Sequence, residues 1–315
     1  MMILSLLVAC ATPPESSDSP SETVDAVDVR ILEGDWEPLS DQDLVFQGAD
    51  VVIDPYADKM WCLVGTYTGP DVGLYRMKTF QGNFGHHFQT MGLSAGEDLY
   101  PDGELIDCSA TGALPMVDLD PLMLPTEGNR GDQVNPLPEG MAYKLRSGQR
   151  YVLQSHYVNT TDTPIRVQDL VVNATMPVEE VEVWTAPLAA NGEQFLVPPG
   201  EEASYDFDCT FDQDYSFVYI LGHMHEWGTK LSVDVTVDGI RETIHDVPEW
   251  DPSYRDAAPV TRFSESQPFT LKAGSTLTTH CAWYNDTAED LGFPHEMCVT
   301  VGMVYPAMVA DVCNK

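Results

Sequence analysis

The sequence predicts an all-β protein made of two consecutive antiparallel β-sandwich, jelly-roll-like domains. Three observations lead there. The 23 glycines and 23 prolines cut the chain into short segments. Those segments alternate apolar and polar residues with the two-residue period of strands. No stretch of 12 or more residues carries a helical apolar period. At 315 residues, with 43% hydrophobic and 10% aromatic composition, the chain is long enough for two domains and apolar enough to bury a core.

Residues 1–10 (MMILSLLVAC) form a short apolar run ending in small residues before Cys10, the pattern of a lipoprotein signal in which Cys10 becomes the lipidated first residue. A plain secretory signal without lipid is the alternative. Residues 11–27 are rich in Pro, Ser, Asp and Glu and are expected to be a disordered tether. No later run approaches the ~20 continuous apolar residues that a spanning helix needs.

An N-terminal domain is expected over residues 28–178. Its clearest strand is residues 150–158, which place Val152, Gln154 and His156 on one face. A C-terminal domain is expected over residues 179–315, with the junction within residues 176–187. Its strands are residues 215–221, 231–237, 268–284 and 297–305, and Asp238-Gly239 marks a hairpin turn. No short internal repeat is evident.

The formal net charge of −35, from 50 acidic against 15 basic residues, argues against nucleic acid or an anionic membrane surface as a partner. It fits a strongly solvated surface in an extracellular or salty setting. With Cys10 set aside, six of the seven cysteines remain, an even number expected to pair as three disulfides in an exported chain. None lies in a Cys-x-x-Cys pair, which leaves a thiolate zinc site without support.

The chemistry concentrates in the histidines. His223 and His225, two apart, would project from the same face of one strand and converge on one ion. The adjacent His86 and His87 would point to opposite faces, so sharing an ion requires a bulge or strand end, feasible beside Gly85. Taken alone, His156 reads as a hydrogen-bonded sandwich residue and Met297 as a packed strand residue on a face with Val299 and Val301. A two-metal arrangement explains five histidines and a methionine together. A thioether ligand is soft and selects Cu(I) over zinc.

Four motifs occur in order: His86-His87 with Met91; Leu153-Gln154 with His156-Tyr157; His223-x-His225 with Gly228 and Lys230; and Glu296-Met297-Cys298. Over about residues 51–306 this order resembles the copper type II, ascorbate-dependent monooxygenases. The resemblance implies two copper ions per chain, one on His86, His87 and His156 and supplying an electron, the other on His223, His225 and Met297 and binding O2. It implies a reaction in which a C–H bond of a small organic substrate is hydroxylated with O2 and a one-electron donor such as ascorbate. It also implies the disulfides Cys62–Cys108, Cys281–Cys298 and Cys209–Cys313. His295, His280 and His245 match no ligand of that family, though His295 sits near enough to Met297 to intrude.

The peptide-amidating branch places an arginine just ahead of its His-x-His, where this chain has Ile220, Leu221 and Gly222. Its tyrosine and asparagine after Glu-Met-Cys are replaced by Val299 and Val301. This pattern therefore holds nothing built to grip a peptide carboxylate, and Glu226, Trp227 and Tyr305 are pocket candidates by proximity alone. Two other readings stand beside the enzyme: a non-catalytic periplasmic copper-binding lipoprotein, and a sandwich adhesion domain with incidental histidines. The expected setting is the bacterial cell envelope, lipid-anchored.

Overall fold

Strand Arg150–Val158 is the centre of a six-stranded sheet because both of its edges are paired over nearly their whole length. Asp58–Thr66 runs antiparallel on one side and Gly85–Leu93 on the other. Tyr151 and Leu153 face inward, and Tyr151 meets Phe46 edge to face at 4.9 Å. Val152 points to the other face, into a small cluster with Cys62, Val64 and Met91. The computed structural model describes residues 26–32, 36–109, 119–121, 126–127, 137–255, 258–264, 266–293 and 295–315. Cys10 and the side chain of His87 lie outside the described residues.

Among the described residues the architecture is all-β, with four sheets. Among the described residues the only helical turns are 3-10 turns at Val178–Glu180 and Pro252–Arg255. A four-stranded antiparallel sheet, ordered Glu202–Thr210, Thr276–Tyr284, Gly228–Val237 and Ile240–Val247, belongs to the second half of the chain. Its inner face packs Leu231, Val233, Val235, Leu277 and Trp283 into the main core, and Phe195 stacks on Trp283 at 4.4 Å. The Asp238-Gly239 hairpin is formed, with φ of 51° and 78°, the two left-handed positions that match strand twist in a two-residue loop.

A ten-stranded sheet runs behind both halves. Strands Asp43–Gln47, Leu170–Pro177, Val72–Phe80 and Met141–Leu145 come from the first half; Val183–Gly192, Cys298–Tyr305 and Tyr215–His223 continue it from the second. The crossing point is the parallel pairing of Met141 with Val183, Ala142 with Trp184 and Tyr143 with Thr185. The fourth sheet, of three strands, pairs Val27 with Ile165 and Ile165 with Ile53. Among the described residues no helix is long and apolar enough to cross a membrane.

One turn occurs twice and was missed in the sequence. Asn159 follows strand Arg150–Val158; its amide donates to the carbonyls of Ile53, Asp54 and Thr163, and its oxygen accepts from Thr161 N–H and Oγ1. Asn285 follows strand Thr276–Tyr284; its amide donates to Val197 and Glu289, and its oxygen accepts from Thr287 N–H and Oγ1. Both asparagines are buried. The shared Asn-x-Thr is too short to register as a repeat.

Candidate metal centre

In the first half the histidines meet because of a break in register. His87 pairs with His156 and Gly85 with Tyr157, so His86 is the extra residue of a bulge. This is the irregularity that two adjacent histidines need. Gly85 permits it: a β-carbon there would lie 2.2 Å from Gln81 Cβ. The His86 ring turns onto His156, with ring centroids 4.7 Å apart at 72° and the two Nδ1 atoms 3.1 Å apart. Two nitrogens each about 2.0–2.1 Å from one ion sit about 3 Å apart at ordinary ligand angles.

The outer nitrogen of His156 is occupied. Its Nε2 lies 2.5 Å from Asp58 Oδ1, so Nε2 carries the proton and Nδ1 keeps its lone pair toward His86. His156 is buried, and burial pulls its pKa below the ordinary value against the opposing pull of Asp58. Behind it, the fully buried Asp169 accepts from Ser155 Oγ at 2.9 Å and Gln81 Nε2 at 3.2 Å. Burial raises the Asp169 carboxyl to about 6 against those bonds.

In the second half the arrangement differs from expectation. Strand Tyr215–His223 ends at His223, so His225 belongs to the turn that follows and does not share the strand. The rings still converge, with centroids 5.3 Å apart at 80°. Met297 likewise precedes strand Cys298–Tyr305. His223 pairs with Val299 in that register, and beyond it Glu296 Oε1 accepts from the backbone N–H of both His225 and Met297, which brings those two main chains together.

Glu296 holds this end together. It is fully buried, and its carboxylate accepts from the backbone N–H of His225 at 2.6 Å, Met297 at 2.7 Å and Trp227 at 3.3 Å. Burial raises its pKa to about 6, opposed by those three donors. His225 Nδ1 lies 2.9 Å from the carbonyl of His295, which leaves Nε2 as its acceptor nitrogen. Burial, and then the neighbouring His223, lowers the His225 pKa to about 4, so the ring is neutral at pH 7. His295 contributes its main-chain carbonyl to this end of the site. Trp250 Nε1 bonds the His225 carbonyl at 2.9 Å.

The remaining histidines lie elsewhere. His280 sits on the four-stranded sheet between Asp206 at 2.7 Å and Asp234 at 2.9 Å, and His245 is buried against Thr261 Oγ1 at 2.9 Å. Of the pocket candidates, Trp227 bonds Asp286, and Glu226 forms an ion pair with Arg255 at 2.9 Å. The other amino group of Arg255 reaches His86 Nε2 at 2.5 Å. Asp58 and Arg255 carried no local signal in the sequence; only strand register and the turn at Pro252–Arg255 bring them to the histidines.

Among the described residues no three His, Cys, Asp or Glu side chains are placed to close on one ion. Each half brings two imidazole rings together. The third donors implied by the resemblance are His87, whose side chain lies outside the described residues, and Met297, a thioether. The pairs fit an ion that takes imidazole and thioether donors.

Three disulfides are formed: Cys62–Cys108, Cys209–Cys313 and Cys281–Cys298. They are the pairing expected from the resemblance, and they place the folded chain in an oxidising environment. Cys298 directly follows Met297, so the third bridge anchors the residue next to it to strand Thr276–Tyr284.

No protein-family model and no curated protein matches the chain. Among solved structures it is similar to the STIV MCP, at 10% identity and a TM-score of 0.32, covering 85% of this chain and 98% of that one. It is similar to VP2 of infectious bursal disease virus in a subviral particle, at 7% and 0.21, covering 84% and 71%. It is also similar to dimeric latent PorU from Porphyromonas gingivalis, at 12% and 0.17, covering 78% and 24%. At these scores function has to be argued from the residues themselves.

Proposed function

We propose that this chain is a copper-dependent monooxygenase that hydroxylates a C–H bond of a small organic substrate, using O2 and a one-electron donor such as ascorbate. The observation that supports it most is the 3.1 Å approach of His86 and His156 through Nδ1, with the far nitrogen of His156 held by Asp58. Bound copper would supply one-electron redox chemistry and O2 activation.

In this proposal His86, His87 and His156 hold one ion, and His223, His225 and Met297 the other. Asp58 fixes the tautomer of His156, and the His295 carbonyl fixes that of His225. Glu296 sets the backbone of His225 and Met297 so that imidazole and thioether face the same point. The strand leading into His223 carries Ile220, Leu221 and Gly222 and so lacks, in that stretch, the cation that grips a terminal carboxylate in the peptide-amidating branch. The chain would act exported in the bacterial cell envelope, anchored by lipid on Cys10.

Metal analysis of the copper-reconstituted protein, paired with ascorbate-dependent O2 uptake, tests this. About two coppers per chain with uptake supports the enzyme. Two coppers without uptake supports the non-catalytic copper-binding lipoprotein. No bound copper overturns both.

A further inference from the structure

The two halves repeat one pattern of pairing around their central strands. Arg150–Val158 pairs along its whole length with Asp58–Thr66, Val158 opposite Asp58; Thr276–Tyr284 pairs along its whole length with Glu202–Thr210, Tyr284 opposite Glu202. On its other edge each central strand meets an irregularity that begins at a glycine, with Tyr157 opposite Gly85 and Trp283 opposite Gly228. Each strand ends in the same asparagine turn, at Asn159 and at Asn285. Farther along, Ile165 pairs with Ile53 as Leu291 does with Val197, and Leu170 pairs with Phe80 as Val299 does with His223.

By this correspondence Ser155 takes the place of Cys281, and Asp169 that of Cys298. In the second half a disulfide joins the two places, beside Met297. In the first half Ser155, next to His156, donates from Oγ to the fully buried Asp169 at 2.9 Å. The carboxylate also accepts from a third segment, through Gln81 Nε2 at 3.2 Å. Gln81 precedes Gly85 as Met224 precedes Gly228, and each lies where a β-carbon on that glycine would strike it, 2.2 Å from Gln81 Cβ and 2.6 Å from Met224 Cε. Burying a carboxylate is costly unless its bonds are made, and the second half closes the same frame without one.

We propose that Asp169 is a positioning residue for the first histidine pair. Through Ser155 and Gln81 it fixes strand Arg150–Val158 against the approach to the His86 bulge, the task that the Cys281–Cys298 disulfide performs beside Met297. The proposal rests on the copper reading given above and adds to it a residue on the inner side of the sheet, behind His156.

Two measurements on the full-length protein test it. Ser155→Cys with Asp169→Cys should form one further disulfide, detected by mass spectrometry without reduction. The Cα atoms of the corresponding cysteines stand 5.9 Å apart, within the span of a disulfide. Two free thiols at these positions overturn the correspondence and the proposal with it. Copper affinity is then read one pair at a time by competition with a chelator, the first pair in a His223→Ala, His225→Ala background and the second in a His86→Ala, His156→Ala background. Asp169→Ala should weaken copper at the first pair about tenfold, the scale of losing an outer partner of a ligating histidine, and leave the second pair unchanged. The double-cysteine variant should bind copper at the first pair more tightly than Asp169→Ala. Asp169→Asn keeps one acceptor oxygen, should show a smaller loss at the first pair alone, and carries the comparison if the alanine variant does not fold. A loss shared by both pairs overturns the positioning role, since general destabilisation would act on both. Unchanged affinity at the first pair also overturns it, while leaving the copper reading standing. A parent that binds no copper overturns the copper reading and the positioning role together, whereas the disulfide result decides the correspondence of the halves by itself.

Discussion

The carboxylate of Asp58 and the Nε2 of His156 are 2.5 Å apart, although they come from strands whose direct register partners are His156 with Met60 and Val158 with Asp58. The ring leans two residues along the sheet to make this bond, and its Nδ1 is thereby committed to the side where His86 lies. Asp58→Ala should keep the fold, since the Asp58 side chain is 69% exposed. Copper affinity of the first pair should fall about 10–100-fold, the usual effect of losing the partner that orients a ligating histidine. Competition titration against a chelator of known affinity measures it.

Glu296 should matter more for stability than for charge. Glu296→Ala removes the acceptor for three backbone N–H groups at a fully buried position, and unfolding in urea should show a loss of more than about 2 kcal/mol. Glu296→Gln keeps one oxygen acceptor and should cost less. If the two variants are equally stable, the carboxylate is not what holds this turn.

Asp169 gives a pH dependence with a defined sign. Burial raises its folded pKa from 3.8 to about 6, so the folded state holds the proton more tightly than the unfolded chain. Its contribution to stability is present in full below about 3.8 and is lost as pH rises through about 6. His225, lowered to about 4, acts the opposite way: its contribution is present above 6.5 and is lost as pH falls through about 4. Comparing Asp169→Asn with the parent cancels the histidines. The difference in unfolding free energy should move by about 2–3 kcal/mol toward the variant between pH 4 and pH 7. A pH-independent difference would mean that Asp169 stays ionised throughout.

Met297→Ile keeps volume and suits extended backbone, so the fold should persist at a cost under about 1.5 kcal/mol. If Met297 is a ligand, the variant should retain about one copper and lose nearly all O2-dependent hydroxylation. Two coppers with undiminished turnover would remove Met297 from the site.

Individual strands of the site were legible in the sequence. Residues 150–158 carry the β-branched and aromatic residues of a strand buried on both faces, and the Asp238-Gly239 turn is specified by two positive φ angles that few residue pairs accept. The bulge at His86 could be expected because two adjacent histidines cannot otherwise share a face. The positions of His225 and Met297 were misjudged as strand residues, because an apolar run cannot show where pairing stops; a buried carboxylate takes the N–H groups that a longer ladder would have used. Asp58 and Arg255 reach the histidines from up to 169 residues away in sequence, and Asp169 reaches Ser155 and Gln81 beside them; only the assembled sheets define those contacts.

The ten-stranded sheet has a mechanical consequence. Because Met141–Leu145 and Val183–Gly192 are hydrogen-bonded side by side, the backing layer has no hinge between the halves, and sliding one half past the other would shear several backbone bonds at once. A two-centre protein joined by a linker can open and close around its cargo. Here the His223 strand belongs to that ladder, while the His86 and His156 strands form the six-stranded sheet that packs on it through Phe88 and Leu153, so an electron passing between the two pairs would cross one shared, stiff core.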